Sequence, residues 1–291
     1  MKGYYDIVGD GGSNIVGQVT ALREKRARNL AQVKHLLAVG SGKGGVGKST
    51  LATQIAAGLA ARGARVAIFD ADLNGPTQAR LAGLGLKPLL PTERGGLTLP
   101  RNAQGLGVVS LGSLVPEGDD VDFESVATGE SHTWRATREF TAIEELLGTV
   151  EWGELDYLVF DLPPGADRAV QYAEFLGPAV SFVLVSIPSD VARGVVSRSI
   201  KALSRTPNRL LGYVENMAGY HCASCGEVRP LFPAPATDGF SIPRLGSIPF
   251  DPELAALCDR GEPVHARPDL PSAAAAGEVV DRIQASLEET P

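Results

Sequence analysis

The chain has 291 residues, enough for one large α/β domain or two small ones. Its 44% hydrophobic and 21% charged content is that of a globular protein and excludes a disordered chain. A net charge of −7 argues against nucleic-acid binding by bulk electrostatics.

The opening Met1-Lys-Gly-Tyr-Tyr-Asp6 lacks the apolar stretch of a signal peptide, and no run approaches the ~20 apolar residues of a membrane helix. With three cysteines, an odd number without a leader, a disulfide framework is not expected, and the expected compartment is the cytoplasm. Residues 1–32 read as an N-terminal helical extension whose basic cluster, Arg23, Lys25, Arg26 and Arg28, is a solvated helix face.

Leu36 to Ser41 is a short apolar run suited to a buried parallel strand, and residues 49–62 are Ala/Leu-rich and helical. Between them stands Gly42-Lys43-Gly44-Gly45-Val46-Gly47-Lys48-Ser49-Thr50, which satisfies Gly-x-x-x-x-Gly-Lys-Ser/Thr at Gly42, Gly47, Lys48 and Ser49. Glycines there let backbone N–H groups turn around a phosphate chain, Lys48 reaches the β/γ oxygens and the Ser49 hydroxyl ligates magnesium. Lys43 is one lysine more than the loop needs. Its side chain does not easily fold back onto its own loop, so it is available to a nucleotide held by a second copy of the chain, which suggests a dimeric nucleotide switch. Gly40-Ser-Gly42-Lys-Gly-Gly45 also fits a dinucleotide fingerprint, with Asp70 ending the next strand. A dinucleotide site, however, has no use for Lys48-Ser49-Thr50 at this spacing.

The strand 65–70 leads into Asp70-Ala-Asp72, and Gly75-Pro76 makes the following loop abrupt, as a switch segment is. Loops at the carboxyl ends of parallel strands converge on one crevice, so Asp72 is placed to orient a water or the magnesium ion; alone, either aspartate reads as a cap or turn former. Residues 85–133 form a Gly/Pro-rich insertion or lid with one strand at 107–111. A helix at 135–148 precedes the strand 155–161, whose terminal Asp161 is the expected magnesium-side carboxylate. Pro163-Pro164-Gly165 then holds the next N–H near the γ-phosphate. Strands at 180–187, 210–214 and 244–248 and helices at 191–205 and 278–288 complete a mostly parallel α/β sheet covered by helices on both faces.

Residues 218–243 read as an irregular insertion carrying Cys222-Ala-Ser-Cys225. Two thiolates spaced in this way grip one metal or cluster, but a stable site wants four ligands. Structural zinc, thioredoxin-like redox chemistry and idle surface thiols all compete for the motif. His221, His265 and Cys258 are further candidates, although Cys258 lies in a helical apolar stretch that suits a small core residue. A two-fold dimer would supply the missing thiolates on its axis.

Taken together, these motifs resemble the Mrp/ApbC family of iron–sulfur cluster carriers, within the ParA/MinD group of deviant P-loop ATPases. The resemblance spans about residues 33–265 and rests on the lysine-rich loop, Asp70-Ala-Asp72 with Gly75-Pro76, Trp152 to Asp161 into Pro-Pro-Gly165, Val214-Glu-Asn216-Met217, the Cys-x-x-Cys and Leu245-Gly-Ser-Ile-Pro249. It implies a P-loop ATPase domain over 33–291, with Asn216 and the loop after Pro249 holding adenine and Cys222 and Cys225 bridging a [4Fe–4S] cluster between two protomers. It further implies ATP, Mg2+ and cluster as ligands, an assembly scaffold and apo-protein clients as partners, and neither nucleic acid nor membrane. Where the family continues Thr-Gly-Asp after Pro-Pro-Gly, this chain has Ala166-Asp167-Arg168, which removes a threonine contact to the γ-phosphate. The rivals are a positioning ATPase of the ParA/MinD kind and a zinc-dimerised regulator. The C-terminal helix, acidic rather than basic and amphipathic, does not suit MinD-like membrane binding.

Overall fold

In the computed structural model, which describes residues 15–73, 75–85, 87–110, 132–233 and 239–289, the apolar β-branched runs become one sheet. In chain order the elements are α1 (Ile15–Leu30), β1 (Val33–Ser41), α2 (Lys48–Ala61), β2 (Val66–Asp70), α3 (Gln78–Leu81), β3 (Gly107–Val109), α4 (His132–Thr149), β4 (Leu155–Asp161), α5 (Ala166–Leu176) and β5 (Val180–Ser186). Then follow α6 (Asp190–Leu203), β6 (Arg209–His221), β7 (Val228–Arg229), β8 (Arg244–Phe250), α7 (Pro252–Asp259) and α8 (Pro271–Glu288). The sheet order is β3-β2-β4-β1-β5-β6, with β8 parallel on β6 and only β7 antiparallel.

Alternation along the central strands makes the two layers. Leu37, Val39, Ile68, Val159 and Val183 enter one core cluster with Leu51, Ile55 and Val279; Ala38, Phe69, Leu158, Phe160 and Phe182 enter the other with Ile143, Tyr172 and Val196. Because side chains alternate across a strand, the two clusters lie on opposite faces of the sheet. The chain is a mostly parallel α/β sheet with helices on both faces.

Register then assembles the site. Val39 of β1 lies opposite Asp161 of β4, and Asp161 lies opposite Asp70 of β2. β2 and β4 thus end at one level with β1 running on to Ser41, and the loops that follow them meet at the carboxyl edge of the sheet.

Several segments differ from the sequence expectations. The strand expected at 210–214 runs on to His221, because β8 and then β7 supply partners for it inside the segment read as irregular. Helix α5 was not among the expected elements, α7 contains the helical stretch read around Cys258, and α8 starts at Pro271, whose fixed φ suits a first helical turn. The basic face of α1 is not wholly solvated. Arg26 pairs with Glu144 at 2.7 Å and donates to the Phe175 carbonyl at 3.0 Å, while Asn29 donates to the carbonyls of Leu147 and Val150, tying α1 to α4. The apolar side of α8 (Val279, Val280, Ile283, Leu287) is buried in the core rather than offered to a lipid surface. Among the described residues no helix is long and apolar enough to cross a membrane. Of the segment read as a lid, 85–133, residues 86 and 111–131 lie outside the described residues.

Candidate functional site

The loop between β1 and α2 is built by backbone rather than side chains. Gly45 and Gly47 have φ of 75° and 79°, a left-handed geometry that glycine adopts without penalty. Gly47 is also the N-cap of α2, and a side chain there would run into the Asn216 amide. The amide of Asn216 donates to the Val46 carbonyl at 2.8 Å, so β6 is fastened to the loop. On the other side Gly165 N–H donates to the Ser41 carbonyl at 2.9 Å, bringing Pro163-Pro164-Gly165 against the same turn.

Lys48 and Asp161 form a buried ion pair, and Lys48 Nζ also donates to Ser49 Oγ at 3.1 Å. Asp161 is held from its other oxygen by Gln78, whose amide donates to Oδ2 at 2.8 Å and to the Ser49 carbonyl at 2.9 Å. Thr53 donates to the Gln78 side-chain oxygen at 2.6 Å. Ser49 Oγ and Asp161 Oδ1, both contacted by Lys48 Nζ, are hard oxygens of the kind a nucleotide's magnesium takes, so the donor set fits that group. Gln78 was missed in the sequence. It is fully buried, but its partner Asp161 is 83 positions away and no local pattern announces the contact.

The two aspartates after β2 divide their roles. Asp70 is buried, and its carboxylate accepts from the N–H groups of Asp72, Thr77 and Gln78 and from the Ser110 hydroxyl at 2.9 to 3.2 Å. Burial first, and then the neighbouring Asp161 charge, push it up to about 7 against those hydrogen bonds. It pins the turn into α3. Asp72 is also raised, by burial first, with Lys48 pulling the other way and Asp161 adding to the rise. Its charged neighbours are Lys48 of the phosphate loop, Asp161 at the end of β4 and Arg168 of α5. Arg168, standing where the resembling family has an aspartate, pairs with Glu139 and lies over the rings of Phe140 and Tyr172.

Asp70→Ala removes an acceptor from four donors and is expected to cost about 2 kcal/mol of stability near pH 5. The folded carboxyl keeps its proton up to about 7, whereas the unfolded chain releases it near 3.8. Raising the pH through that window therefore destabilises the nucleotide-free fold through this group, and the gap between wild type and variant should narrow. Denaturant unfolding at a series of pH values reads this directly, and a gap that widens with pH contradicts it.

A cleft of ≈ 170 Å³ opens beside the loop, lined by Gly47, Thr50, Asn216, Met217, Pro249 and Cys258 among others. Asn216 and Pro249, placed far apart in the chain, share its wall. Met217 has φ of 53°, a strained geometry for a non-glycine residue. Cys258 is buried in α7, its thiol raised by that burial and contacted by the Gln54 amide at 3.7 Å.

The Cys-x-x-Cys stands at the tip of the β6–β7 hairpin. Cys222 N–H donates to the Glu227 carbonyl at 2.9 Å, and the Cys222 carbonyl accepts from Gly226 N–H at 2.8 Å, closing a tight turn around the pair. The Ser224 hydroxyl, then the backbone N–H groups of Cys225 and Ser224 and the Cys225 thiol, draw Cys222 down to about 6. Cys225 is exposed. Among the described residues no three His, Cys, Asp or Glu side chains gather as a metal site, so His265 and Cys258 do not join the hairpin.

The profile of a family described as "ParA: NUBPL iron-transfer P-loop NTPase" matches residues 32–284. The chain is 34% identical over 272 residues to an iron-sulfur cluster carrier protein of Saccharolobus solfataricus, covering 91% of this chain and 88% of that one. It is 34% identical over 273 residues to the human cytosolic Fe-S cluster assembly factor NUBP2, covering 90% and 96% respectively. Among solved structures, a nucleotide-binding protein of Archaeoglobus fulgidus in complex with ADP superposes with a TM-score of 0.68 at 32% identity, covering 85% of this chain and 94% of that one. MinD of Pyrococcus horikoshii with Mg-ADP superposes with a TM-score of 0.60 at 19% identity over 86% and 95%, a likeness of fold alone.

Proposed function

This chain belongs to the ParA family of NUBPL-type iron-transfer P-loop NTPases, whose members include iron–sulfur cluster carriers and assembly factors, and from that premise we propose that it is a homodimeric ATPase carrying a [4Fe–4S] cluster to apo-proteins. The observation that carries the reading is the pairing of a complete phosphate loop with a two-cysteine hairpin in one chain. Each protomer brings Cys222 and Cys225 to the two-fold axis, and two protomers complete four ligands.

Gly42 to Thr50 cradle the phosphates, Ser49 and Asp161 take Mg2+, and Asn216 and Pro249 flank the adenine. Lys48 leaves Asp161 for the β/γ oxygens when ATP arrives, so its buried pair serves the nucleotide-free state. Lys43, whose side chain makes no hydrogen bond or ion pair among the described residues, reaches the nucleotide of the partner. Asp72 orients the attacking water. The Gly165 N–H is held by the Ser41 carbonyl, so it is the next N–H, that of Ala166, that faces the γ-phosphate, and with Ala166 in place of threonine that step lacks a hydroxyl contact. Within the extension at 1–32, α1 packs on the ATPase domain at 33–291.

Asp72→Asn is expected to lower the ATPase rate by about 10²-fold with little change in melting temperature, because it orients the water rather than supporting the core. A large loss of stability with an unchanged rate would assign it to the turn instead. The function as a whole is tested by loading the protein anaerobically with iron and sulfide and mixing it with an apo-enzyme that needs a [4Fe–4S] cluster. Recovery of that enzyme's activity in the presence of an iron chelator supports the reading. Recovery only through free iron, or retention of zinc in place of a cluster, overturns it in favour of a zinc-dimerised regulator.

A further inference from the structure

The cleft and the cysteine hairpin share one piece of backbone and one buried carboxylate. β6 leaves the phosphate loop at Asn216, passes through the strained Met217 in the cleft wall, and reaches Cys222. Between the pairs Asn216–Ile248 and Tyr220–Phe250 the register with β8 slips, so β6 takes more residues than its partner across this stretch. Such a bulge gives the strand slack where it crosses the cleft.

The second link is lateral. Asp251 lines the cleft, and its side chain is fully buried. Its Oδ1 accepts from Glu253 N–H at 3.0 Å, capping α7, and its Oδ2 accepts from the Ser272 hydroxyl at 2.8 Å at the start of α8. The same Oδ2 lies 3.4 Å from Nδ1 of His221, the residue immediately before Cys222. That nitrogen is buried and makes no hydrogen bond, so the contact is close but loose. Beside it the rings of Tyr220 and Phe250 stack at 6.3 Å and 21°.

We propose that His221 is a positioning residue: through its contact with Asp251, occupancy of the cleft sets where Cys222 stands at the tip of the hairpin. A base bound against Pro249 and Asn216 displaces the Pro249–Asp251 turn, and the Asp251–His221 contact passes that displacement to the cysteine. The inference rests on the reading that the cleft takes an adenine nucleotide and the hairpin a cluster. It needs no change in charge at His221, only its contact.

The test uses the cluster-free protein and measures alkylation of Cys222 by iodoacetamide, resolved by mass spectrometry, with and without saturating ADP. In wild type, ADP should change the Cys222 rate by about fivefold or more, the usual lower range for coupled sites. In His221→Ala, ADP should still bind, as calorimetry reports, but leave the Cys222 rate nearly unchanged. His221→Leu, which keeps bulk at the site if the alanine variant loses its fold, should be equally uncoupled. His221→Gln keeps a donor facing Asp251 and should restore part of the response. A Cys222 rate that ignores ADP in wild type, or a folded His221→Ala or His221→Leu with the wild-type response, overturns the proposal. Failure to load a cluster while the ADP response persists would sink the carrier reading and leave the coupling intact. Absence of ADP binding would sink both.

Discussion

Lys48→Ala is expected to weaken ATP binding by about 10²-fold or more, since it removes the buried charge we propose meets the phosphate oxygens. The same change has a second consequence. In the nucleotide-free protein Asp161 is fully buried and Lys48 is its cationic partner, so the variant leaves a carboxylate with only the Gln78 amide. Losing one member of a buried pair typically costs about 3 kcal/mol. Lys48→Ala should therefore melt earlier as well as bind poorly, and Lys48→Arg, which keeps the charge, should recover stability better than affinity. Lys43→Ala should behave differently. Among the described residues its ammonium has no partner to lose, so the melting temperature and the ATP affinity should hold while hydrolysis falls on the order of 10³-fold, the scale of a cation supplied in trans. Equilibrium dialysis, calorimetry and phosphate release separate these outcomes. Wild-type hydrolysis in Lys43→Ala contradicts the trans role.

The second large effect concerns the hairpin. Cys222→Ser and Cys225→Ser should each abolish stable cluster binding, because each removes two of four ligands from the dimer at once. Cys258→Ser should keep the cluster, since its thiol is buried in α7 beside the nucleotide cleft. Nucleotide binding should survive all three changes. Iron content after reconstitution of the three variants reads this directly, and loss confined to Cys258→Ser would point to a different metal site.

The parts legible in the sequence were those carried by local pattern. Gly42 to Thr50 announced the phosphate loop because its residue types have no other joint use, and the apolar runs announced six of the parallel strands to within a few residues. The Asp70–Asp161 alignment follows from strand order, which spacing alone does not state. What stayed hidden depends on distant partners. Gln78 matters only because Asp161 and Ser49 arrive from other strands and helices, and Asp251 looks like an ordinary cap until β6 lays His221 against it. The long run of β6 was hidden for a like reason: Met217 to His221 has no strand pattern of its own and is extended by β8 and β7. Arg26 read as a surface charge because its acid, Glu144, comes from a helix 118 positions on.

The central claim is that two chains together hold one cluster. It is tested most directly by native mass spectrometry of the anaerobically reconstituted protein, with iron and sulfide measured on the same sample. The account predicts a dimer carrying about four irons and four sulfides, with one cluster shared between its two Cys222–Cys225 hairpins. A cluster held by a monomer, or a dimer carrying a single zinc and no sulfide, would contradict it.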